Sequence, residues 1–139
     1  MVGHGVVRIG LTGHEPANGQ LLTLGIDWLL MARDAGDELL IALPAVQWVQ
    51  GLDRQSAEPG WEGAVGARLG LRVALRRILR DRSAVTMGLT SGDILRGRLE
   101  RVGDDHVELE SPEAFATIGR ASVFTSTLPL TSIAYLRRR

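Results

Sequence analysis

The stretch VRIGLTGHEPANGQLLTLGIDWLLM (residues 7–31) recurs as VTMGLTSGDILRGRLERVGDDHVEL at residues 85–109. The two segments align without a gap at an offset of 78 residues, and eight of the 25 positions are identical. The alignment resumes at an offset of 87, where residues 41–49 lie over residues 128–136. The extra residues of the second copy fall around 111–122. A repeat of this length predicts two copies of one fold unit.

Each copy has the residue pattern of short β-strands. Apolar side chains alternate with others at a period of two and predict a first strand in each copy; they are Val7, Ile9 and Leu11, then Val85, Met87 and Leu89. The Thr-Ser-Gly-Asp sequence at residues 90–93 is a tight hairpin signal, because glycine accepts a positive φ. Gly19 and Gly97 lie inside strand patterns and indicate a bend or a close approach of two backbones. Five short strands in about 50 residues fit a small, curved barrel.

The fold class that follows is mainly β with one helix. We expect two tandem five-stranded small β-barrels, residues 1–52 and 83–139, joined through a linker at residues 53–62 and a basic amphipathic α-helix at residues 63–82. The linker carries Ser, Pro and Gly, which interrupt regular structure. The helix is indicated by apolar residues that recur on one face at helical spacing: Ala67, Leu71, Ala74, Leu75 and Ile78.

The composition narrows the class of protein. The chain has 16 acidic and 16 basic residues, all of the latter arginine, so its formal net charge is zero. It has no cysteine, which excludes disulfides and cysteine-ligated metals. The longest apolar stretch, residues 39–49, is interrupted and too short to span a bilayer. The N-terminus lacks the basic and apolar regions of a signal peptide, so we expect a cytoplasmic protein that makes no membrane contact.

The second copy resembles the Sm-like and SH3-like small β-barrels. The resemblance rests on residues 89–109, with Gly-Arg-Leu at 97–99 in the second strand and Asp-His-Val at 105–107 opening the third. Residues 128–133 resemble the turn and last strand of such a barrel. The whole chain also resembles an uncharacterised family from high-GC bacteria, whose members carry Gly-x-Asp-Trp and a terminal Ile-x-x-Leu-Arg; here these are residues 25–28 and 133–137.

The Sm-like resemblance implies a possible RNA contact. Members of that family form rings that stack bases at the loop between strands two and three and clamp them with an Arg-Gly or Lys-Gly loop between strands four and five. Asp105 and His106 resemble the first of these sites. Glu108 stands in the usual Asn position, and no Arg-Gly or Lys-Gly precedes residues 128–133. The resemblance therefore implies His106 as an RNA-contact residue, without the second site.

A group of arginines in the middle of the chain gives a second route to nucleic acid. Residues 61–82 hold six arginines and two acidic residues. The helix face opposite the apolar one carries Arg72, Arg76, Arg77 and Arg80. Such a face can bind nucleic-acid phosphates. It can equally face solvent or pair with acidic side chains of the first copy, and these readings stay open; the acidic candidates are Asp34, Asp37 and Glu38.

The third strands of the two copies differ in a way that points to a protein interface. Trp28 and Leu30 occupy the positions of His106 and Glu108, so this strand is apolar on both faces in the first copy. Trp48 adds to the same expected surface. Because large apolar patches are seldom left in water, these three residues are candidates for binding a protein partner or a second copy of the chain. The alternative is that they pack against the helix or the second barrel.

Motifs for catalysis or metal binding are absent from the sequence. His4, His14 and His106 lack metal-ligand spacing, and the chain contains no Gly-x-Ser-x-Gly, phosphate-binding glycine loop or His-Glu-x-x-His. We expect no enzyme activity, no metal and no cofactor. The predicted function is a non-catalytic cytoplasmic binding or regulatory module that acts through protein–protein contacts. The alternative is an RNA- or DNA-binding protein that uses the arginine face and His106.

Overall fold

A computed structural model describes residues 6–34, 36–51, 70–112 and 123–139. The strands of the first half are β1 (Val6–Leu11), β2 (His14–Leu24), β3 (Trp28–Asp34), β4 (Asp37–Ala42) and β5 (Val46–Gln50). The helix α1 spans Leu71–Asp81. The strands of the second half are β6 (Ala84–Leu89), β7 (Ile94–Val102), β8 (His106–Pro112), β9 (Val123–Pro129) and β10 (Ile133–Arg138). The predicted linker, residues 53–62, and residues 63–69 of the predicted helix lie outside the described residues.

The ten strands form one open antiparallel sheet in the order β5-β1-β2-β3-β4-β10-β6-β7-β8-β9. The prediction of mainly β structure with one helix agrees with this fold, but the prediction of two closed barrels is wrong. A closed barrel needs the end strands of its sheet to pair with each other. Here β4 of the first half pairs instead with β10 of the second half, so the hydrogen-bonded ladder continues across the whole chain.

Both halves have the same strand order and, apart from one end of two hairpins, the same pairing register. The first half reads β5-β1-β2-β3-β4 and the second reads β10-β6-β7-β8-β9. Gly10 pairs with Trp48 in the first half, and Gly88 pairs with Tyr135 at the equivalent place in the second. In both pairs the aromatic ring occupies the space that a Cβ on the glycine would need. The offsets of 78 and 87 residues in the sequence therefore also relate the two halves in space.

The apolar side chains form two clusters that share the middle of the sheet. The first lies within β1–β4 and contains Ile9, Met31 and Ile41 among its most deeply buried residues. The second lies within β6–β10 and includes the buried face of α1, with Leu71, Leu75 and Ile78. It also takes in three residues from the other half, which are Trp28, Leu40 and Ala42. Strands β3 and β4 are thus covered on both faces, one by their own cluster and the other by the second.

Turns from both halves hold the start of α1. The backbone N–H of Leu71 donates to Asp27 Oδ1 at 2.7 Å, which satisfies one of the free amides of the first helical turn. Arg72 forms an ion pair at 2.9 Å with Asp104, in the turn before β8. At the other end, Arg82 adopts a left-handed conformation, with φ of 54°, and its N–H donates to a carbonyl of the last turn. The helix is therefore fixed relative to both halves.

The junction between β4 and β10 is reinforced by charge. Arg137 donates two hydrogen bonds to the Asp37 carboxylate, at 2.9 and 3.0 Å. These bonds hold the pKa of Asp37 below its usual value, although burial of the group acts in the opposite direction. Arg138 donates to Glu38 at 3.1 Å and to Asp81, at the end of α1, at 2.6 Å. Two neighbouring arginines of the last strand thus join it to β4 and to the helix.

Candidate interaction surfaces

Trp28 and Leu30, two of the predicted partner-binding residues, lie against α1. Trp28 is only 6% exposed and belongs to the same apolar cluster as Leu71 and Leu75. Its indole ring also fills the space beside Gly25, where a Cβ would overlap it. Leu30 is half-buried and packs against that cluster. Both residues therefore pack against the chain's own helix, which was the alternative to a partner-binding surface.

Trp48, the third predicted residue, remains exposed on β5. Its side chain is 39% exposed, as is that of its neighbour Val49. The indole stands over Gly10, and the guanidinium of Arg8 lies 6.0 Å from the ring centroid, within the range of a cation–π contact. Strands β1 and β2 separate β5 from β3 in the sheet, so Trp48 lies apart from Trp28 along the ladder.

Strands β5 and β9 are the two edges of the sheet. Among the described residues, β5 pairs with β1 alone and β9 with β8 alone. The exposed hydrophobic side chains include Trp48 and Val49 on β5. By contrast Leu136, the counterpart of Val49 on β10, is 1% exposed because β4 and the second cluster cover it. The edge at β5 therefore presents both open backbone groups and apolar surface.

The four predicted arginines of the helix do not form one free face. Arg72 is engaged by Asp104. Arg76 is half-buried and Arg77 and Arg80 are exposed, and none of the three forms an ion pair within the described part of the chain. Arg77 and Arg80 line a groove of about 480 Å³ between α1 and the first half. Acidic residues share that groove, namely Glu38 and Asp81.

His106 is the first residue of β8, directly after the turn at residues 103–105. Its Nδ1 lies 2.9 Å from Asp105 Oδ1, and this hydrogen bond lowers the pKa of the Asp105 carboxyl. The imidazole fills the space beside Gly103, as the ring of Trp28 does beside Gly25 in the first half. The side chain is 31% exposed, so one part of the ring stays accessible. Asp104, two residues before His106 in the chain, forms the ion pair with Arg72.

A second group of arginines lies on the sheet and was missed in the sequence. Arg96 and Arg98 flank Gly97 on β7 and are both exposed. They line a concavity of about 1000 Å³ together with Arg137, Arg139 and one acidic residue, Glu110. The sequence does contain a signal for this surface, because two arginines separated by one residue of a strand project from the same face. The equivalent positions of the first half are neutral Asn18 and Gln20.

Residues 6–34, 36–51, 70–112 and 123–139 contain neither a cluster of metal-ligating side chains nor a membrane-spanning helix. Among those residues, no group of three or more His, Asp or Glu side chains is placed to hold a metal ion. No helix within them has both the length and the apolar character required to cross a membrane. Comparisons of the chain with protein-family models, with curated proteins and with solved structures give no match. The Sm-like resemblance of the sequence therefore stays a prediction.

Proposed function

We propose that the protein is a non-catalytic binding module of the cytoplasm that acts through protein–protein contacts at the β5 edge. The observation that carries the proposal is the exposure of Trp48 and Val49, each 39%, on a strand that has a described partner on one side only. An extended segment that adds to such an edge gains main-chain hydrogen bonds, and side-chain pockets give it specificity. Tryptophan is enriched among residues that dominate binding energy.

The edge also lacks two of the features that usually prevent strand addition, charged side chains and proline. Natural edge strands are commonly protected by charged side chains, proline or bulges. Strand β5 has the sequence Val-Gln-Trp-Val-Gln and contains neither charge nor proline, although its pairing with β1 has a register shift at Gln47. Its residues from Gln47 to Gln50 are all exposed. The strand is thus chemically suited to accept a partner.

Site-specific photocrosslinking in the native host tests the proposal. A photoreactive p-benzoylphenylalanine at Gln47, which is exposed on β5, should give a light-dependent adduct with a protein. The matched control is the same residue at Leu22, which is exposed on β2 but lies between two paired strands. The captured protein is then purified, and Trp48→Ala should weaken its binding at least tenfold while Leu22→Ala leaves it unchanged. The absence of any Gln47 adduct above the Leu22 control would refute the proposal.

Nucleic-acid binding is the second candidate, and the arginine concavity favours it. Arg96, Arg98 and Arg139 line this surface without an ion pair to a described residue. Guanidinium groups bind phosphate through paired hydrogen bonds. The arginines of α1 form a separate candidate surface, because Arg77 and Arg80 line a different groove.

Fluorescence anisotropy with labelled single-stranded RNA and DNA tests this candidate. Binding through phosphates should weaken linearly on a logarithmic scale as salt rises, and each lost contact should reduce the slope by about one. Replacing Arg96 and Arg98 with Gln tests the concavity, and replacing Arg77 and Arg80 tests the helix. Arg101→Gln, an exposed arginine outside both surfaces, is the control. No binding at low salt would eliminate the candidate.

A further inference from the structure

The junction between β4 and β10 provides a template for the two outer edges. At this junction Tyr135 lies opposite Ile41, and Leu136 lies opposite Leu40. The first pair packs on the cluster of the first half, and the second pair belongs to the cluster of the second half. Strand β5 ends the first half as β10 ends the second, so these two strands can be compared residue by residue.

Strand β5 is the counterpart of β10. Each pairs with the first strand of its own half, and the registers are the same once the offsets are applied. Trp48 pairs with Gly10 as Tyr135 pairs with Gly88. The edge of β5 that points away from β1 is thus equivalent to the edge that β10 presents to β4.

Strand β9 is the counterpart of β4. Leu128 pairs with Val107 on β8, as Ile41 pairs with Leu29 on β3. The other pairs of residues 28–32 keep the same relation, but the pair of Asp34 with Asp37 has no counterpart, since Pro112 pairs with Val123. The outer edge of β9 is therefore equivalent to the edge that β4 presents to β10. Each molecule has one edge of each type, at opposite ends of its sheet.

The side chains at these edges allow them to meet. Strand β5 carries no charged residue, and neither does β9, whose sequence is Val-Phe-Thr-Ser-Thr-Leu-Pro. In the template register Trp48 would lie opposite Leu128, and Val49 opposite Thr127. No like charges would face each other, a situation that otherwise destabilises cross-strand pairs. The apolar surface of Trp48 and Val49 would be covered, as that of Leu136 is covered in the chain.

We infer that a second copy of this chain binds at β5 through its β9, in the register that β10 and β4 use within the chain. This inference rests on the proposed function and names the partner. The contact joins two different surfaces, so each added copy presents a free edge again, and association proceeds head to tail. It closes as a ring or continues as a filament according to the rotation between copies.

Light scattering and sedimentation of purified full-length chain test the inference. The wild-type mass should exceed the 15.0 kDa of one chain and rise with concentration. Val49→Lys blocks β5, and Thr127→Lys blocks β9, so each variant alone should have the mass of one chain. An equimolar mixture of the two should form a species of twice that mass, because each supplies the edge that the other lacks. Leu22→Lys, on a central strand, should assemble as wild type does.

The register is tested on one chain. Combining Val49→Lys with Thr127→Glu should restore assembly, since opposite charges would face each other across the contact, whereas Val49→Lys with Thr127→Lys should not. Circular dichroism establishes that each variant is folded. If a substitution prevents folding, hydrogen exchange of the wild type replaces it: amides of β5 and β9 should become more protected as concentration rises, and those of β2 should not change.

The outcomes separate this inference from the proposed function. A wild-type chain that stays at the mass of one copy at every concentration, or a mixture of the two lysine variants that forms no dimer, overturns head-to-tail pairing. If Gln47 then crosslinks to a different protein, the proposed function survives with another partner. If Gln47 gives no adduct at all, both fail. A Gln47 adduct that contains only this chain supports both.

Discussion

Replacing Asp37 with Asn should lower the free energy of unfolding by about 2–3 kcal/mol at neutral pH. The Asp37 side chain is almost fully buried and accepts two hydrogen bonds from Arg137, at 2.9 and 3.0 Å. A hydrogen bond to a charged group contributes about 1.5–3 kcal/mol, and breaking a fully buried ion pair costs about 3–5 kcal/mol. The Arg137 side chain is 27% exposed, so water can solvate its charge after the ion pair is broken. The expected loss of stability is therefore smaller than for a fully buried ion pair.

The stability lost in Asp37→Asn should decrease as the pH falls. The Arg137 guanidinium holds the pKa of Asp37 below its usual value of 3.8 in the folded state. The ionised carboxylate therefore stabilises the fold fully above the pKa of the unfolded chain, and this contribution falls as pH decreases through the folded pKa. The difference between wild type and Asp37→Asn should be largest at neutral pH and should shrink below about pH 4.

Urea unfolding followed by tryptophan fluorescence, at neutral and acid pH, measures this difference. Asp34→Asn, an exposed aspartate on β3, is the control and should change stability by less than about 0.5 kcal/mol. Adding Arg137→Gln to Asp37→Asn should cost little more, because the pair is already broken. The reasoning fails if Asp37→Asn unfolds at the wild-type urea concentration, or if its loss is the same at all pH values.

Three further substitutions test the packing. Gly97→Ala should cost more than about 2 kcal/mol in thermal unfolding, because its Cβ would overlap the backbone carbonyl of Glu110; a wild-type melting temperature would contradict this. Leu75→Ala should cost about 2–5 kcal/mol in urea, because the side chain is 0% exposed, and a loss under about 1 kcal/mol would show that α1 adds little. Asp27→Ala should cost about 1 kcal/mol and speed amide exchange at Leu71, whose N–H loses its acceptor; unchanged exchange would disprove the cap.

The strands and their repeat could be predicted because they depend on local signals. Alternation of apolar side chains placed β1 and β6 where they lie. The hairpin predicted at residues 90–93 contains Gly92, whose φ is 98°, a conformation that favours glycine. The structure also explains why glycine lies within a strand. Gly97 is so close to the backbone of β8 that a side chain would not fit.

The pairing between halves could not be predicted from such signals. An edge of a sheet has the same backbone groups whichever strand it meets, so alternation in β4 does not reveal that its partner is β10. The burial of Trp28 depends in turn on where α1 packs, which follows from contacts such as Leu71 with Asp27 across 44 positions of the chain. The sequence indicated an apolar surface on β3, but it did not indicate which part of the protein packs against that surface.

Charge explains why the chain pairs β10 with its own β4 rather than with a β9. Four edge combinations are possible between copies, because β5 and β10 are equivalent and so are β4 and β9. A β9 in the place of β4 would put Phe124 and Thr125 where Asp37 and Glu38 stand. Arg137 would then lose its two hydrogen bonds, and Arg138 would lose its bond to Glu38. The two ion pairs therefore favour the intrachain junction, as does the higher effective concentration of strands in one chain. The uncharged outer edges lack this reinforcement, so pairing between copies should be weaker and reversible, and assembly should follow protein concentration.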